Sequence, residues 1–230
     1  MSYVFAPPKQ ASVPVRGTHL RFPVRRIYCV GRNYNDHVAE MGGIPGREPP
    51  FFFQKPADAV FLDGDFPYPS ASRDVHHEVE LVVALHSGGS NIALSDASQH
   101  VHGYAVGIDM TRRDLQAAAK KAGKPWEIAK AFDHSAPLSE IMPKSDTGEL
   151  EHAKISLDVN GVRRQNSDIS QMIWSVPEII SELSKLFELH AGDLIFTGTP
   201  SGVGPVQPGG TLHATIEHVG ELTLRVCKPS

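Results

Sequence analysis

The chain has 230 residues, of which 40% are hydrophobic and 21% are charged, so it is large enough to bury a substantial core. Its formal net charge of -4 is spread along the sequence without a basic block, which argues against nucleic acids and anionic membranes as partners. The N-terminal residues lack the charged start and apolar run of a secretory signal, and no stretch has the roughly 18 apolar residues of a membrane span. We therefore expect a soluble, cytoplasmic protein.

Residues 1–24 contain several prolines and few clusters of apolar side chains, which predicts an extended arm laid over the rest of the protein. Residues 25–230 continue without a break and are predicted to form a single catalytic domain. Runs rich in β-branched or aromatic residues, separated by Gly, Pro, Asp and Asn, predict strands at 26–30, 50–54, 78–85, 103–108, 154–159, 193–197 and 211–226. The predicted fold is therefore β-dominated.

Short helices are predicted at 35–41, 95–99, 112–122 and 177–187. The last has the clearest pattern, because its apolar residues follow one helical face and Pro177 suits a first turn after Ser175. The two cysteines are Cys29 and Cys227, and Cys29 lies in an apolar run. We expect both to be reduced, structural thiols.

The first candidate site lies in the segment at 31–40, GRNYNDHVAE, where His37 and Glu40 would face the same way on a helical turn. A carboxylate beside a histidine fixes its tautomer and stabilises its protonated form, so the pair is a candidate base for activating water. The alternative is a surface pair, and only a metal site elsewhere in the sequence favours catalysis. The glycine-rich residues 41–46 that follow suit the hinge of a lid.

Two lysines follow apolar residues and are therefore candidates for contact with an anionic substrate. They are Lys55 in FFFQKP and Lys130 in PWEIAKAFD, in contrast to Lys120 and Lys121, which we expect to be freely solvated. The alternative for Lys55 and Lys130 is a lysine at a strand end whose ammonium group reaches the solvent.

The strongest chemical signal is the sequence HHEVELVVAL, in which Glu78 and Glu80 lie on one face of a predicted strand. Their α-carbons would be about 6.6 Å apart, close enough for both carboxylates to bind one cation. Asp109 ends the next apolar strand, and three oxygen ligands suit a hard divalent ion. A solvated strand edge is the alternative, but the same face continues through apolar residues. His76 and His77 are expected only to flank the site.

The segment TGTPSGVGP at 197–205 resembles a phosphate-binding loop only superficially, because it has no lysine and no helix is predicted after it. Its backbone amides and Thr199 are candidates for binding a carboxylate, since glycines permit close approach by a ligand. A plain tight turn is an equally good interpretation.

The chain resembles the fumarylacetoacetate hydrolase family from about residue 25 to 227 through the ordered motifs GRNYxxHxxEM, KP, HHEVEL, GIDMTRRDLQ, PWEIAKAFD and TGTPSGVGP. It is most similar to the short, single-domain acylpyruvate and fumarylpyruvate hydrolases. Its N-terminal MSYVFAPP and the later FPVRRIYCVGRNY look like the fumarylpyruvate hydrolases of gentisate breakdown, a route of aromatic catabolism.

The resemblance implies a β-dominated α+β fold, namely a mixed β-sandwich roll of the family's C-terminal-domain type with a few short helices, and a homodimer. It also implies Mg²⁺ or Mn²⁺ at Glu78, Glu80 and Asp109, with Ca²⁺ as a possible substitute in vitro. The remaining implied site residues are His37 and Glu40 on a mobile lid, and Lys55, Arg113, Gln116, Lys130 and Thr199 around the substrate.

The predicted reaction is metal-dependent hydrolysis of a carbon–carbon bond in a 2,4-dioxo acid, with fumarylpyruvate giving fumarate and pyruvate. In this hypothesis His37 and Glu40 deprotonate a water, while Lys130 neutralises negative charge. The main rival is an oxaloacetate decarboxylase or a related 2-oxo-acid lyase or isomerase, and a third reading is a non-catalytic cation-binding module. The sequence leaves open whether Arg32, Arg47, Arg112 or Arg113 recognises a distal carboxylate.

Overall fold

The computed structural model describes residues 2–62 and 64–229. Its strands, in chain order, are β1 Ser12–Pro14, β2 Arg21–Pro23, β3 Arg26–Gly31, β4 Phe51–Lys55, β5 Val60–Phe61, β6 Asp65–Pro67, β7 Val75–His77, β8 Val79–Leu85, β9 Val101–Ile108, β10 Thr111–Arg112, β11 Ala136–Pro137, β12 Met142–Pro143, β13 Lys154–Val159, β14 Val162–Asp168, β15 Asp193–Phe196, β16 Gly204–Pro205, β17 Thr211–Ile216 and β18 Gly220–Cys227.

The helices are short and lie between the strands. They are α1 Asn35–Glu40, α2 Leu94–Ala97, α3 Arg113–Lys121, α4 Glu127–Lys130, α5 Lys144–Thr147 and α6 Val176–Ser184, with single 3₁₀ turns at Ala57–Ala59, Ser98–His100 and Ile169–Gln171. Within the described residues no helix has both the length and the apolar composition needed to span a membrane.

Two larger sheets pack face to face. The first has the order β12-β9-β8-β15-β3-β4 and is mixed, because β15 runs parallel to β3 and antiparallel to β8. The second has the order β14-β13-β17-β18-β6 and contributes side chains to the same apolar cluster as the first. This arrangement confirms the predicted β-dominated, mixed-sheet fold.

Strand β8 lies at the centre of the molecule and is buried on both faces. Leu81 and Val83 point into the core between the two large sheets, whereas Val82 and Ala84 belong to a second core on the opposite face. Because side chains alternate along a strand, Glu80 shares the face of Val82 and Ala84. The sequence of β8 therefore delivers a carboxylate to a buried surface.

The predicted N-terminal arm contains a hairpin that the sequence analysis did not predict. Strands β1 and β2 pair antiparallel, and Val13 and Phe22 are buried in the second core. Prolines obscured the alternation of apolar residues in this segment, but Pro14 and Pro23 are compatible with a small hairpin in which few N–H donors are needed. The division between an arm at 1–24 and a domain at 25–230 stays a prediction.

The other predicted elements are confirmed to within a few residues, and the run at 211–226 forms the hairpin β17–β18. Helix α6 begins after Ser175, whose backbone N–H and hydroxyl both donate to the Glu178 carboxylate. Cys29 and Cys227 are free thiols, as expected. The long strand β14 was missed because its sequence, VRRQNSD, is polar at nearly every position.

Candidate metal centre

Three carboxylates meet where β8 and β9 lie side by side. Glu78 precedes β8, Glu80 lies within it, and Asp109 follows β9, with the Asp109 N–H donating to the Glu78 carbonyl at 2.8 Å. One oxygen from each carboxylate lies within 4.8 Å of the others, and the three residues are only 5%, 2% and 0% exposed. The structure thus brings together the three ligands that the sequence predicted.

Two buried lysines provide most of the positive charge around this cluster. Lys130 Nζ lies 2.7 Å from Glu78 Oε2 and 2.6 Å from Asp109 Oδ2, and it donates to Thr111 Oγ1 at 2.7 Å. Lys55 Nζ lies 2.8 Å from Asp109 Oδ1. The distance is that of an ion pair, although this oxygen accepts no hydrogen bond among the described residues.

The positive charge is distributed unequally among the carboxylates. Glu78 binds both Lys130 and Arg113, and although burial raises its pKa, these cations more than offset burial and hold the pKa below its ordinary value. Glu80 makes no ion pair within the described chain and accepts one hydrogen bond, from Gly198 N at 2.8 Å. Burial, together with the charges of Asp109 and Glu78, raises the pKa of Glu80 well above its usual range.

A hard divalent cation fits this site. The ligand set contains only oxygen, Glu80 lacks a counter-charge, and Asp109 Oδ1 is a buried acceptor without an aligned donor. Mg²⁺ and Mn²⁺ both accept such ligands.

Helix α1 places His37 in the same cleft as the carboxylates, with Glu40 beside it. His37 Nδ1 lies 3.0 Å from Glu40 Oε2, and His37 is only 7% exposed, so this histidine is not a freely solvated surface residue, whereas Glu40 is exposed. Because a carboxylate only accepts hydrogen bonds, the proton of neutral His37 lies on Nδ1, which leaves Nε2 able to accept one. The cleft is lined by His37 and by all three carboxylates.

The loop after β15 holds both groups in place through its backbone amides. Gly198 N donates to Glu80, and Gly202 N donates to Glu40 Oε1 at 2.9 Å. The expectation that loop amides bind a ligand carboxylate is therefore wrong for these two, which bind carboxylates of the protein itself. Gly202 has a φ of 94°, and a Cβ there would lie 1.9 Å from the Arg164 carbonyl oxygen, so the loop requires glycine at this position.

Gln165 is a buried residue near the site that the sequence analysis missed. Its Oε1 accepts from Val79 N at 3.0 Å and lies 3.0 Å from His77 Nδ1. Its Nε2 donates to Thr199 Oγ1 at 2.8 Å and to the Pro200 carbonyl at 2.9 Å. A single glutamine in a polar strand gives no signal in the sequence, although here it joins β8 to the loop. His77 flanks the site, as predicted.

Helix α3 presents Arg113, Gln116 and Lys120 to the cleft. Positions 113, 116 and 120 lie on one helical face because they are three and four residues apart. Arg113 Nη1 donates to Gln116 Oε1 at 2.6 Å, while Nη2 donates to Glu78. Lys120 is exposed, as expected, but its ammonium group also lies 4.9 Å from the centre of the Trp126 ring at the cleft.

The remaining predicted residues take up positions around the carboxylates. Thr199 lines the cleft, and its hydroxyl donates to the Val79 carbonyl at 2.8 Å. Lys55 donates to the Lys130 carbonyl behind the cluster. The three N–H bonds of Lys130 have acceptors in Glu78, Asp109 and Thr111, so its ammonium group organises the ligands.

Comparison with known proteins places the chain among enzymes with three named activities. The family described as fumarylacetoacetate (FAA) hydrolase C-terminal matches residues 26–227. The crystal structure of fumarylpyruvate hydrolase from Pseudomonas aeruginosa in complex with Mn²⁺ and pyruvate superposes with a TM-score of 0.97 at 52% identity, covering 99% of this chain and 100% of that chain.

Two curated relatives carry names for reactions of oxaloacetate. Oxaloacetate tautomerase YcgM of Escherichia coli (strain K12) is 41% identical over 92% of this chain and 96% of its own length. The mitochondrial oxaloacetate decarboxylase of Dictyostelium discoideum is 43% identical over 80% of this chain and 85% of its own length. Similarity alone therefore leaves a choice between hydrolysis and chemistry on oxaloacetate.

Proposed function

The chain belongs to the fumarylacetoacetate hydrolase family, as its motifs predicted, and on that premise we propose that it is a divalent-cation-dependent acylpyruvate hydrolase. The proposed substrate is fumarylpyruvate, which gives fumarate and pyruvate in aromatic catabolism of the gentisate type. The observation that carries this proposal is that a buried histidine, hydrogen-bonded to Glu40, lines the same cleft as a buried cluster of three carboxylates.

Glu78, Glu80 and Asp109 would hold Mg²⁺ or Mn²⁺, and Ca²⁺ is expected to substitute in vitro. When bound, the ion supplies Lewis-acid chemistry at the 2-oxo acid end of the substrate. The similar Pseudomonas fumarylpyruvate hydrolase, which was crystallised in complex with Mn²⁺ and pyruvate, supports this assignment.

In the proposed reaction His37 Nε2 accepts a proton from water, and Glu40 orients the ring and stabilises the imidazolium. The hydroxide adds to the carbonyl carbon of the acyl group. The bond between that carbon and C3 of the pyruvate part then breaks, and its electron pair stays on C3. Fumarate keeps the oxygen from water, and the proton held by His37 is delivered to C3, so the atoms of one water molecule are distributed over the two products.

The other polar residues of the cleft have supporting roles in this proposal. Lys130 and Lys55 pair with Glu78 and Asp109 and hold these carboxylates in position. Arg113, Gln116 and Thr199 line the cleft and are proposed to contact the substrate. Thr199 is itself positioned by Gln165.

Isomerisation or decarboxylation of oxaloacetate is the second candidate, and the two curated relatives favour it. Decarboxylation needs no attacking water, whereas tautomerisation needs a group that removes and returns a proton, and His37 could do this. Dependence on His37 and Glu40 therefore distinguishes hydrolysis from decarboxylation, whereas hydrolysis and tautomerisation are distinguished by which substrate turns over.

The test follows the ultraviolet absorbance of fumarylpyruvate, acetylpyruvate and oxaloacetate with purified protein, in Mg²⁺ or Mn²⁺ and again after chelation. Rapid, metal-dependent loss of fumarylpyruvate supports the hydrolase, and His37→Ala and Glu40→Gln should each lower its kcat by at least about 10²-fold. If oxaloacetate turns over faster and the two variants still decarboxylate it, the hydrolase proposal is wrong.

We also propose that the protein is a cytoplasmic homodimer. Phe51, Ile128 and Leu186 are exposed apolar side chains near edge strand β4, which has no second neighbour within the described sheet. Light scattering of the purified protein tests the dimer, and a monomeric mass at micromolar concentration would contradict it. Subcellular fractionation tests the location.

A further inference from the structure

Four cationic side chains line the cleft, and two of them are neutralised by the protein. Arg113 binds Glu78, and Lys130 binds Glu78 and Asp109. The other two are Arg32 and Lys120. Within residues 2–62 and 64–229 neither has a carboxylate at ion-pair distance.

Arg32 is held at the rim of the cleft by an unusual backbone conformation. Its φ is 60°, in the left-handed region that residues with a Cβ rarely adopt. The next residue, Asn33, fixes this turn by accepting from Trp174 N at 2.7 Å and donating to the Trp174 and Thr197 carbonyls. The turn leaves the Arg32 guanidinium exposed beside the cleft.

Lys120 belongs to helix α3, which contributes another wall of the cleft. The Trp126 ring holds its ammonium group at 4.9 Å. Burial, with the nearby charges of Arg113 and Arg32, lowers the pKa of Lys120, so these cations are close enough to repel one another. A bound anion would relieve this repulsion.

The other two candidate arginines already have partners outside the cleft. Arg47 binds Glu178 and lies 4.2 Å from the centre of the Trp174 ring. Arg112 lies 4.2 Å from the Phe132 ring and donates to the Ile128 carbonyl at 3.2 Å. Neither lines the cleft that contains the three carboxylates.

We propose that Arg32 and Lys120 together bind the carboxylate at the far end of the acyl group, and so select acylpyruvates whose acyl group is a dicarboxylic acid. This inference rests on the proposed function and names its substrate class: fumaryl, maleyl or succinyl groups fit, whereas an acetyl group leaves both cations unpaired. In oxaloacetate one methylene separates the oxo group from the second carboxylate, so this short acid gains little from a site at the rim.

The test compares kcat/KM for fumarylpyruvate and acetylpyruvate in the Mn²⁺-loaded wild type, in Arg32→Gln, in Lys120→Gln and in the double variant. Each single substitution should lower kcat/KM for fumarylpyruvate about tenfold, mainly through KM, which corresponds to about 1.4 kcal/mol. In the double variant kcat/KM for fumarylpyruvate should fall about 10²-fold. In every variant kcat/KM for acetylpyruvate should fall no more than about threefold. Arg32→Lys should recover part of the loss.

Lys121→Gln is the matched control, because it removes the same charge from the next position of α3 but does not line the cleft. The proposal is overturned if both substrates lose activity equally, or if Lys121→Gln has the effect of Lys120→Gln.

A binding measurement separates this proposal from the proposed function. Calorimetry with Mn²⁺-loaded protein and saturating pyruvate gives the Kd of fumarate and of crotonate, which has one carboxylate fewer. The wild type should bind fumarate more tightly than crotonate, and the double variant should bind them equally. That result supports the site even if the wild type hydrolyses no acylpyruvate, whereas equal binding by the wild type overturns it.

Discussion

The Lys130 ammonium group has three N–H bonds, and buried Glu78, Asp109 and Thr111 accept all three. Such a group stabilises the protein only as long as its partners remain ionised, because a buried charge without a partner costs several kcal/mol. Lys130 is therefore expected to stabilise the folded protein even when no metal is bound, in addition to any role in the reaction.

We predict that Lys130→Met destabilises the metal-free protein by about 3–5 kcal/mol, because it leaves two buried carboxylates short of a cation. Mn²⁺ should then raise the melting temperature of the variant more than that of the wild type. Urea and thermal unfolding, with chelator and with Mn²⁺, measure both effects.

Lys185→Met is the control for this prediction. Lys185 pairs with Glu182 on the surface, so its loss should change stability by less than about 1 kcal/mol. Equal effects of the two substitutions on the metal-free protein would show that the buried pairs of Lys130 contribute no more than a surface pair.

His77 gives the protein a predictable response to acid. Burial lowers the pKa of His77 from 6.5 to about 4, although its hydrogen bond to Gln165 opposes this effect. Between these two values the unfolded chain takes up a proton that the folded protein does not, so stability is complete above pH 6.5 and falls as the pH is lowered toward 4. We expect a loss on the order of 3 kcal/mol over this range.

The prediction is tested by urea unfolding between pH 7 and pH 4.5 in chelator, comparing the wild type with His77→Gln. Glu80 titrates in both proteins, so the difference between the two stability curves isolates the histidine. If the free energy of unfolding depends on pH in the same way in the wild type and in His77→Gln, the lowered pKa of His77 is contradicted.

At the scale of whole elements, the β1–β2 hairpin connects the N-terminal segment to the central sheet. Phe22 is 6% exposed, belongs to the second core, and stacks on His102 of β9 with 5.8 Å between the ring centres. Residues 2–10, by contrast, are exposed.

We predict that Phe22→Ala lowers the free energy of unfolding by about 3–4 kcal/mol, because it removes a packed aromatic ring and leaves a cavity. Phe5→Ala, at a position 77% exposed, should change it by less than about 0.5 kcal/mol. Denaturant unfolding measures both, and a small effect of Phe22→Ala would mean that the hairpin is dispensable for stability.

The strands and helices that could be predicted are those in which burial imposes a regular spacing of apolar residues. Strand β8 is apolar at every position except Glu80, helix α6 is apolar along one face, and both were predicted. Strand β14 pairs only with β13 at the edge of its sheet, so its one buried side chain, that of Gln165, gives no periodic signal. The hairpin β1–β2 was hidden by its prolines.

At the scale of the whole molecule, metal binding should stabilise the fold, because the ligands are already assembled in the folded state. A divalent ion at 100 times its Kd should add about 2.7 kcal/mol. We predict that Glu80→Gln removes most of the corresponding rise in melting temperature. The metal-free variant should be no less stable than the metal-free wild type, because Glu80 makes no ion pair among the described residues and its charge is disfavoured by burial and by Asp109 and Glu78.

Thermal melts of both proteins in chelator, Mg²⁺ and Mn²⁺ test this prediction. An unchanged metal-dependent rise in Glu80→Gln would exclude Glu80 as a ligand.

The residues of the candidate site that could be predicted are those whose chemical type and local sequence position are informative by themselves. Glu78, Glu80 and Asp109 stand at strand positions where a carboxylate is unusual, and His37 and Glu40 have helical spacing. Long-range contacts gave no such signature. The bonds from Gly202 to Glu40 and from Gln165 to Thr199 join segments that are 162 and 34 residues apart.

The position of β15 has a consequence for the order in which the protein matures. Residues Asp193–Phe196 lie between β3 and β8, and β15 is the strand that joins β3 and β4 to the β8–β9 hairpin. During translation the three carboxylates can therefore approach one another early, on a local hairpin, while helix α1 must wait for the last sixth of the chain. A nascent chain that ends before residue 193 would carry ligands for a cation but no means of positioning the histidine beside it. The histidine is thus expected to reach the carboxylates only after β15 has been synthesised.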